Sequence, residues 1–465
     1  MPSIPPILRT ARRGWAARPI FQETATVKNN AQSALLTESP EKKKKFDYTW
    51  VVIVVCFLST MVTLGFCSTP KNQYLDVVTK ALDIPRSLFS LNDTFRHVAT
   101  AVVNLFFGTL IAKFGTKKLM LAGMLSLCTA MTLFAVANNL FVFYLAATFM
   151  GIGFAWTGTS MVGRIVSKWC QKNRGTIMGA VMAANGVGGA IATQILLPFI
   201  DNESGQHYRN AYMISACAVF TVGILVLLFM REAPKNFDAT KHVYTKKRGR
   251  GEPWVGIDFA EIKRSPYFYA ILVCIFLTGF CLQGISGVSK AHMKDVGLDP
   301  TYIKNLISVG TLCLSLFKFL SGFLYDRFGL RFTATMCATG STVATLLLAF
   351  LSNTPSGEVM AAVYKVLSAM ALPLETVMIP IYAADLFGER SYEKVLGLFV
   401  SVNVTGFALG APFFNLCFDI SHTYKYVLIF GACVMFCLVI ALQFIISAAH
   451  KTRDRVLAEL ANTPS

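Results

Sequence analysis

The sequence predicts an all-α integral membrane protein with twelve transmembrane helices in two bundles of six, related by a pseudo-twofold axis. Three observations carry this prediction. Apolar residues make up 54% of the 465-residue chain and charged residues only 15%, whereas soluble domains are about 25% charged. Twelve apolar runs have the length of about 20 residues that a membrane span requires. Short sequence matches also recur at one offset in the two halves of the chain.

The twelve runs are separated by short polar segments and define the predicted spans. Their bounds are 49–70, 87–111, 117–137, 140–163, 176–200, 210–230, 267–289, 303–325, 332–351, 358–382, 395–416 and 425–447. A disordered, basic cytoplasmic tail at 1–45 is expected before an N-terminal bundle at 46–230. A cytoplasmic linker at 231–266 separates that bundle from a C-terminal bundle at 267–450 and a second cytoplasmic tail at 451–465.

The distribution of Lys and Arg predicts that both termini are cytoplasmic. With the N-terminus inside, 32 of the 43 basic residues fall in inner segments, eight in outer segments and three within spans, as the positive-inside rule requires. Membrane topology therefore accounts for the net charge of +18, and no nucleic-acid partner is expected. We expect a multi-pass protein of the plasma membrane. The four arginines that precede Glu23 keep an organelle membrane open as the alternative.

An internal repeat divides the chain at the linker. Gly65–Cys67 in span 1 recurs as Gly279–Cys281 in span 7, 214 residues later, and Gly108–Gly115 recurs at the same offset as Gly322–Gly329. Two parallel homologous halves place a substrate site between them, near the middle of the bilayer.

Enzyme chemistry has no motif in this chain. No C-x-x-C pair, no nucleotide-binding G-x-x-x-x-G-K-[ST] loop and no nucleophile motif occurs. We therefore expect a protein that is not an enzyme, binds no metal and needs no cofactor.

The charged turn after span 8 carries the clearest motif. Residues Gly322–Arg331 follow the pattern G-x-L-x-D-R-x-G-x-R, and Gly108–Gly115 is a weaker copy in which Ala112 replaces the acid and Lys113 the arginine. Together with the layout of six spans, linker and six spans, this pattern resembles the major facilitator superfamily over about residues 46–450. The resemblance implies a gate whose ion pairs form in one state and break in another; the alternative is a static cap. The gate residues are Gly108, Gly115, Gly322, Asp326, Arg327, Gly329 and Arg331.

The start of span 5 indicates a narrower group. Trp169, Arg174, Gly175 and Gly179 form a W-x4-R-G-x3-G sequence that is similar to that of monocarboxylate transporters and oxalate–formate antiporters. The span also lacks the Gly-Pro step expected of drug–proton antiporters. Because the glycines lie in a membrane span with no strand before it, they do not form a dinucleotide fingerprint.

Lys318 is the main candidate for substrate binding. It lies in the apolar run of span 8, eight residues before Asp326, which is about 12 Å along a helix. A lysine at that depth is costly unless a cavity or a partner uses its charge, and the alternative is that its long side chain snorkels toward the cytoplasm. The position resembles the basic residue of span 8 in the monocarboxylate and oxalate–formate groups. Those groups usually carry Arg, and Lys lacks the bidentate fork of Arg.

Four further charged or titratable residues are candidates for proton coupling. Lys365 and Glu375 lie ten residues apart in span 10, where Pro373 and Pro380 predict a kink. Asp93 and His97 lie one helical turn apart in span 2. The alternatives are a hydrogen-bonded buried acid in span 10 and an ion pair at the end of a helix in span 2.

Other polar residues complete the predicted substrate site. Arg96 in span 2 and Lys71 after span 1 are expected to attract an anion from the outer side, although Lys71 also fits a lysine at the membrane interface. Asn185 and Asn403 occupy matching positions in spans 5 and 11, close to the repeat offset. The remaining candidates are Gln283, Tyr74 and Trp156.

These observations predict a secondary transporter that moves a small organic anion, a monocarboxylate, by alternating access, with protons or a second solute as coupling partner. We expect a monomer in the lipid bilayer. One alternative is a drug or metabolite–proton exporter, which would depend little on Lys318. The other is a membrane sensor that does not transport.

Overall fold

The twelve predicted spans are present in the fold. The computed structural model describes residues 48–170, 172–200, 207–232, 254 and 256–462. These residues are helical and contain no strand. Eleven helices are long and apolar enough to cross a membrane, and a bent helix pair makes the twelfth span. The predicted tail at 1–45 and most of the linker lie outside the described residues.

The first half of the chain contributes spans 1 to 6. Its helices are Tyr48–Thr60 and the π-helix Met61–Phe66 (span 1), Lys71–Ala81 (after span 1), Arg86–Leu105 and Phe107–Phe114 (span 2), Thr116–Val136 (span 3), Leu140–Thr157 and Thr159–Trp169 (span 4), Arg174–Ile200 (span 5) and Tyr208–Phe229 (span 6).

The second half contributes spans 7 to 12, after a short helix, Phe259–Ile262, at the end of the linker. Its helices are Pro266–Asp295 (span 7), Pro300–Phe328 (span 8), Leu330–Ala349 (span 9), Pro355–Ala371, Pro373–Thr376 and Met378–Phe387 (span 10), Tyr392–Ser421 (span 11) and Lys425–Asn462 (span 12).

Two glycines end equivalent spans of the two halves in the same way. Gly115 ends span 2 with φ +79°, and Gly329 ends span 8 with φ +87°. A side chain is strained in this left-handed region, which glycine enters freely. Both glycines belong to the motif that the repeat analysis aligned, and each lets the chain turn directly into the next span.

Four of the twelve spans are not continuous α-helices. Span 1 changes to a π-helix at Met61–Phe66, span 2 bends by 62°, span 4 breaks at Gly158, and span 10 is divided on both sides of Pro373–Thr376. The prolines predicted the break in span 10, but the other three were not predicted. π-helical turns are frequent at functional sites.

The two halves contact each other through spans 5 and 8 and through spans 2 and 11. A methyl group on Gly322 would overlap the carbonyl of Gly175, and a Cβ on Gly397 would overlap that of Asn104. Farther along the second pair, Ser401 donates a hydrogen bond of 2.8 Å to the carbonyl of Ala101. Small residues at helix contacts allow this close approach.

Candidate functional site

Lys318 is buried between the halves and contacts Asn185, a residue of the other half that was also predicted to line the substrate site. Only 2% of its surface is exposed. Its ammonium lies 3.1 Å from the side-chain oxygen of Asn185, in the amide orientation that also lets Asn185 donate to the carbonyl of Leu64 at 3.2 Å. Gly179 lets span 5 approach the backbone of Lys318. Two predicted substrate-binding residues therefore lie together, beside the π-helix of span 1.

Glu375 supplies the opposite charge. It lies in the short middle helix of span 10 and is 5% exposed. Gln283 donates to its Oε2 at 3.4 Å, and its Oε1 has no hydrogen-bond partner among the described residues. The carboxylate interacts electrostatically with Lys318. Because a buried charge is costly unless it is compensated, these two side chains stabilise each other's charge.

Arg96 is the centre of a separate polar cluster in the N-terminal half, toward the end of span 2 that is away from the Gly108–Gly115 turn. Its guanidinium is 3.0 Å from Asp93 and 3.1 Å from the Nε2 atom of His97, and it lies over the ring of Phe154 at 5.4 Å. It borders a cavity that Tyr74 also lines. The structure therefore brings three of the predicted residues of span 2 together, but in a different place from Lys318.

Asp326 binds the N-terminus of span 5. It accepts hydrogen bonds from the backbone N–H of Gly175 at 3.0 Å, from that of Thr176 at 2.7 Å and from the Thr176 hydroxyl at 2.7 Å. A carboxylate at a helix N-terminus satisfies N–H groups that have no partner in the helix, and it complements the positive end of the helix dipole. The motif acid thus connects the C-terminal half to the N-terminal half.

Two ion pairs reinforce this connection, and the sequence did not predict either of them. Arg174 lies 2.5 Å from Glu389, and Arg164 contacts Glu393. Both arginines are at least 90% buried. In the sequence both counted as basic residues of a predicted cytoplasmic segment, and Arg174 also belonged to the W-x4-R-G-x3-G sequence. The signal for their pairing was the two acids Glu389 and Glu393 near the start of span 11.

The end of the linker supports the loop that carries Glu389. The backbone N–H of Glu389 donates to the carbonyl of Trp254 at 3.0 Å, and that of Ile257 donates to the carbonyl of Phe387 at 3.1 Å. The Trp254 indole N–H donates to the carbonyl of Ala384 at 3.2 Å. The linker therefore contributes backbone contacts to the region between the halves.

The other predicted gate residues make packing and hydrogen-bond contacts at the two motif turns. Gly108 packs against Lys394, Arg327 lies 5.5 Å from the ring of Phe328, and Arg331 donates to Ser447 of span 12. In the first half, Glu232 accepts from the N-terminus of span 3, at 2.9 Å from the backbone nitrogen of Thr116.

The remaining predicted binding and coupling residues lie apart from Lys318. Asn403 donates to the carbonyl of Ile275 at 3.2 Å, a contact between spans 11 and 7. Trp156 packs beside Gly123, and its indole nitrogen has no hydrogen-bond partner among the described residues. Lys365 lines a cavity of about 50 Å³ within the C-terminal half. The side chain of Lys71 lies outside the described residues.

A family model of the Major Facilitator Superfamily matches residues 49–291 and 271–462. The chain belongs to this superfamily. Secondary transporters of this superfamily move small molecules across the bilayer. This chain has the fold of the superfamily, with two bundles that meet at the motif turns.

The chain has low sequence identity to several transporters. The chain is 24% identical over 264 residues to the sialic acid transporter NanX of Escherichia coli, a match that spans 55% of this chain and 60% of that relative. It is 24% identical over 385 residues to bovine monocarboxylate transporter 13, covering 81% of this chain and 84% of that one. The rat protein of the same name is 24% identical over 324 residues, 68% of this chain and 70% of that one.

Solved structures agree in fold. The proton:xylose symporter XylE superposes with a TM-score of 0.69 at 12% identity, covering 86% of this chain and 96% of that one. The human organic anion transporter MFSD10 superposes with a TM-score of 0.64 at 12% identity, covering 85% and 99%. At such low identity these structures establish the fold alone.

Proposed function

We propose that this secondary transporter carries a small organic anion, a monocarboxylate, by alternating access, and that Lys318 binds the carboxylate. The observation that carries the proposal is the burial of the Lys318 ammonium between the two halves, next to Asn185 and within electrostatic range of Glu375. A cation kept in this position at the cost of desolvation attracts an anion that enters between the halves.

Glu375 gives the site a means of coupling to protons. While Glu375 is ionised, it compensates the charge of Lys318, with which it interacts. When Glu375 takes up a proton, Lys318 loses that compensation and a substrate carboxylate replaces it. Proton and anion then bind together, and the loaded site has balanced charges while its access changes from one side of the membrane to the other. Gln283, which donates to Glu375, holds the carboxylate in place.

We further propose that the protein lies in the plasma membrane, and that the side closed by Asp326 and by the two arginine–glutamate pairs is the cytoplasmic side. The excess of basic residues in the inner segments supports this orientation. The described structure then corresponds to a state closed toward the cytoplasm, and transport requires these contacts to break and re-form.

Uptake by purified protein in proteoliposomes tests the proposal. We expect Lys318→Met to reduce the uptake of radiolabelled monocarboxylates such as lactate and benzoate at least 100-fold, because the methionine keeps the length of the side chain and removes the charge. Lys118→Met is the matched control, since Lys118 is an exposed lysine at the start of span 3.

The thermal stability of both variants should remain close to that of the parent, because Glu375 takes up a proton when its compensating cation is removed. Uptake of a monocarboxylate by Lys318→Met at the parent rate would contradict the assignment of Lys318. Transport of cations or of apolar compounds that is independent of Lys318 would instead identify a drug or metabolite–proton exporter.

A further inference from the structure

A cavity of about 120 Å³ lies toward the outer end of the N-terminal half. Its walls come from spans 1, 2, 3, 4 and 6 and from the helix after span 1, and no described residue of spans 7 to 12 lines it. Spans 3 and 6 lie away from the main contacts between the halves, which run through spans 2, 5, 8 and 11. The cavity is therefore inside one bundle and separate from the Lys318 site. Its volume is sufficient for several water molecules or for a small organic molecule.

The polar lining of this cavity contains groups without partners. Both amide atoms of Asn92 and the Nε atom of Arg96 are buried, and none of them has a hydrogen-bond partner among the described residues. Arg96 as a whole is 7% exposed. Buried polar groups are rarely left without partners in folded proteins, and such exceptions require an explanation. A ligand that accepts hydrogen bonds provides one for the two donors, the Asn92 NH₂ group and the Arg96 Nε–H.

The charge of Arg96 is already balanced on its other edge. Asp93 contacts the Nη2 atom at 3.0 Å, and the same atom lies 3.1 Å from the Nε2 atom of His97, while Ser68 accepts from Nη1 at 3.5 Å. The Nε–H edge remains available, together with the Asn92 amide. Because Asp93 neutralises the guanidinium, this site selects its ligand by directed hydrogen bonds more than by net charge.

The apolar lining is rich in aromatic rings. The rings of Tyr74 and Tyr212 are stacked with centroids 4.1 Å apart, and Phe134 stacks on Tyr212 at 5.3 Å. Met131 and Met150 contribute flexible, polarizable side chains. Such walls suit a flat apolar group, because aromatic rings pack well against each other and against methionine sulfur.

We propose that this cavity is a second ligand site, which binds a small aromatic carboxylate. The carboxylate accepts hydrogen bonds from the Arg96 Nε–H and from the Asn92 amide, and the ring packs between the aromatic residues and the methionines. The proposal shares its ligand class with the proposed function but none of the residues of the Lys318 site. The failure of one proposal therefore leaves the other standing.

Equilibrium dialysis with radiolabelled benzoate tests it, using the full chain in lipid nanodiscs. We expect two bound benzoates per parent protein, one for Lys318→Met, one for Asn92→Leu and none for the double variant. Asn415→Leu, which changes an exposed asparagine of span 11, is the matched control and should bind two. If Asn92→Leu binds as many benzoates as the parent protein, or if the double variant binds as many as Lys318→Met, the second site is refuted.

Arg96→Lys keeps the pairing with Asp93 but removes the Nε donor, so it covers the case in which Asn92→Leu does not fold. We expect it to weaken the binding that remains in Lys318→Met at least tenfold, and unchanged binding would overturn the proposal. A parent-like benzoate capacity in Lys318→Met would count against the proposed function, whereas sensitivity of the binding to Asn92→Leu would still support this site.

Discussion

Asp326 connects the two halves through three hydrogen bonds to the first residues of span 5. Asp326→Asn removes the charge from the helix N-terminus, where it stabilises by about 1 kcal/mol. We expect the contact between the halves to open about fivefold more often. Cys170 reports this opening because it is 3% exposed at the end of span 4 and its carbonyl accepts a hydrogen bond from Arg174, which pairs with Glu389 of the other half. Alkylation of Cys170, followed by mass spectrometry, should therefore accelerate about fivefold.

Asp419→Asn serves as the control for that experiment, since Asp419 is exposed near the end of span 11 and far in sequence from the motif. It should leave the rate of Cys170 alkylation unchanged. Equal rates for Asp326→Asn and the parent would show that the motif acid does not hold the halves together in this state.

Single residues could be predicted where the chain itself shows an anomaly. Lys318 and Glu375 are charges within apolar runs, so their positions alone predicted a special environment. Arg164 and Arg174 lie in polar segments, where a basic residue is ordinary, and their partners Glu389 and Glu393 are more than 200 residues away. Pairings over such a distance depend on the arrangement of the two halves, which one sequence does not provide.

Span 1 and span 5 approach each other more closely than side chains allow. A Cβ on Gly65 would lie 2.6 Å from the backbone of Gly188, and a backbone atom cannot move away cheaply. We expect Gly65→Ala to destabilise the protein by about 1–3 kcal/mol through overpacking, measured as a lower midpoint of thermal unfolding. It should also impair transport, because Gly65 lies in the π-helix beside Asn185 and Lys318.

Gly223→Ala in span 6 is the matched comparison. A Cβ there would meet only the Met124 side chain, at 3.5 Å, which is an ordinary contact. Alanine is also the better helix former, by up to about 1 kcal/mol. The unfolding midpoint should stay the same or rise. A similar loss of stability in both variants would indicate that an added methyl group destabilises these spans in general, and that the contact of spans 1 and 5 is not the cause.

Hydropathy located the spans but not their internal breaks. Span 6 was predicted at 210–230 and observed at Tyr208–Phe229, because its ends coincide with a change from apolar to polar residues. The π-helix of span 1 and the break at Gly158 produce no change in hydropathy. The break in span 10 was predictable because proline removes a backbone hydrogen bond.

For the molecule as a whole, the pair Arg164–Glu393 keeps the two halves in the described arrangement. Glu393→Gln leaves a buried arginine without its opposite charge, at a cost on the order of 3 kcal/mol. We expect the balance of states to shift toward one in which water reaches Arg164. Hydrogen–deuterium exchange should then increase at residues 159–169 and 392–400.

Glu358→Gln is the control, since Glu358 is an exposed acid at the opposite end of span 10. It should leave the exchange of both segments as in the parent. Unaltered exchange in Glu393→Gln would mean that the pair does not determine the equilibrium between states.

The contact between Trp254 and the loop of Glu389 has a mechanical consequence. The linker enters the C-terminal half at Trp254, and its backbone is hydrogen-bonded to the residue whose carboxylate meets Arg174. A displacement of Trp254 therefore acts on the Arg174–Glu389 ion pair through these backbone hydrogen bonds. The position of Trp254 and the contact between the halves are thus coupled through Glu389.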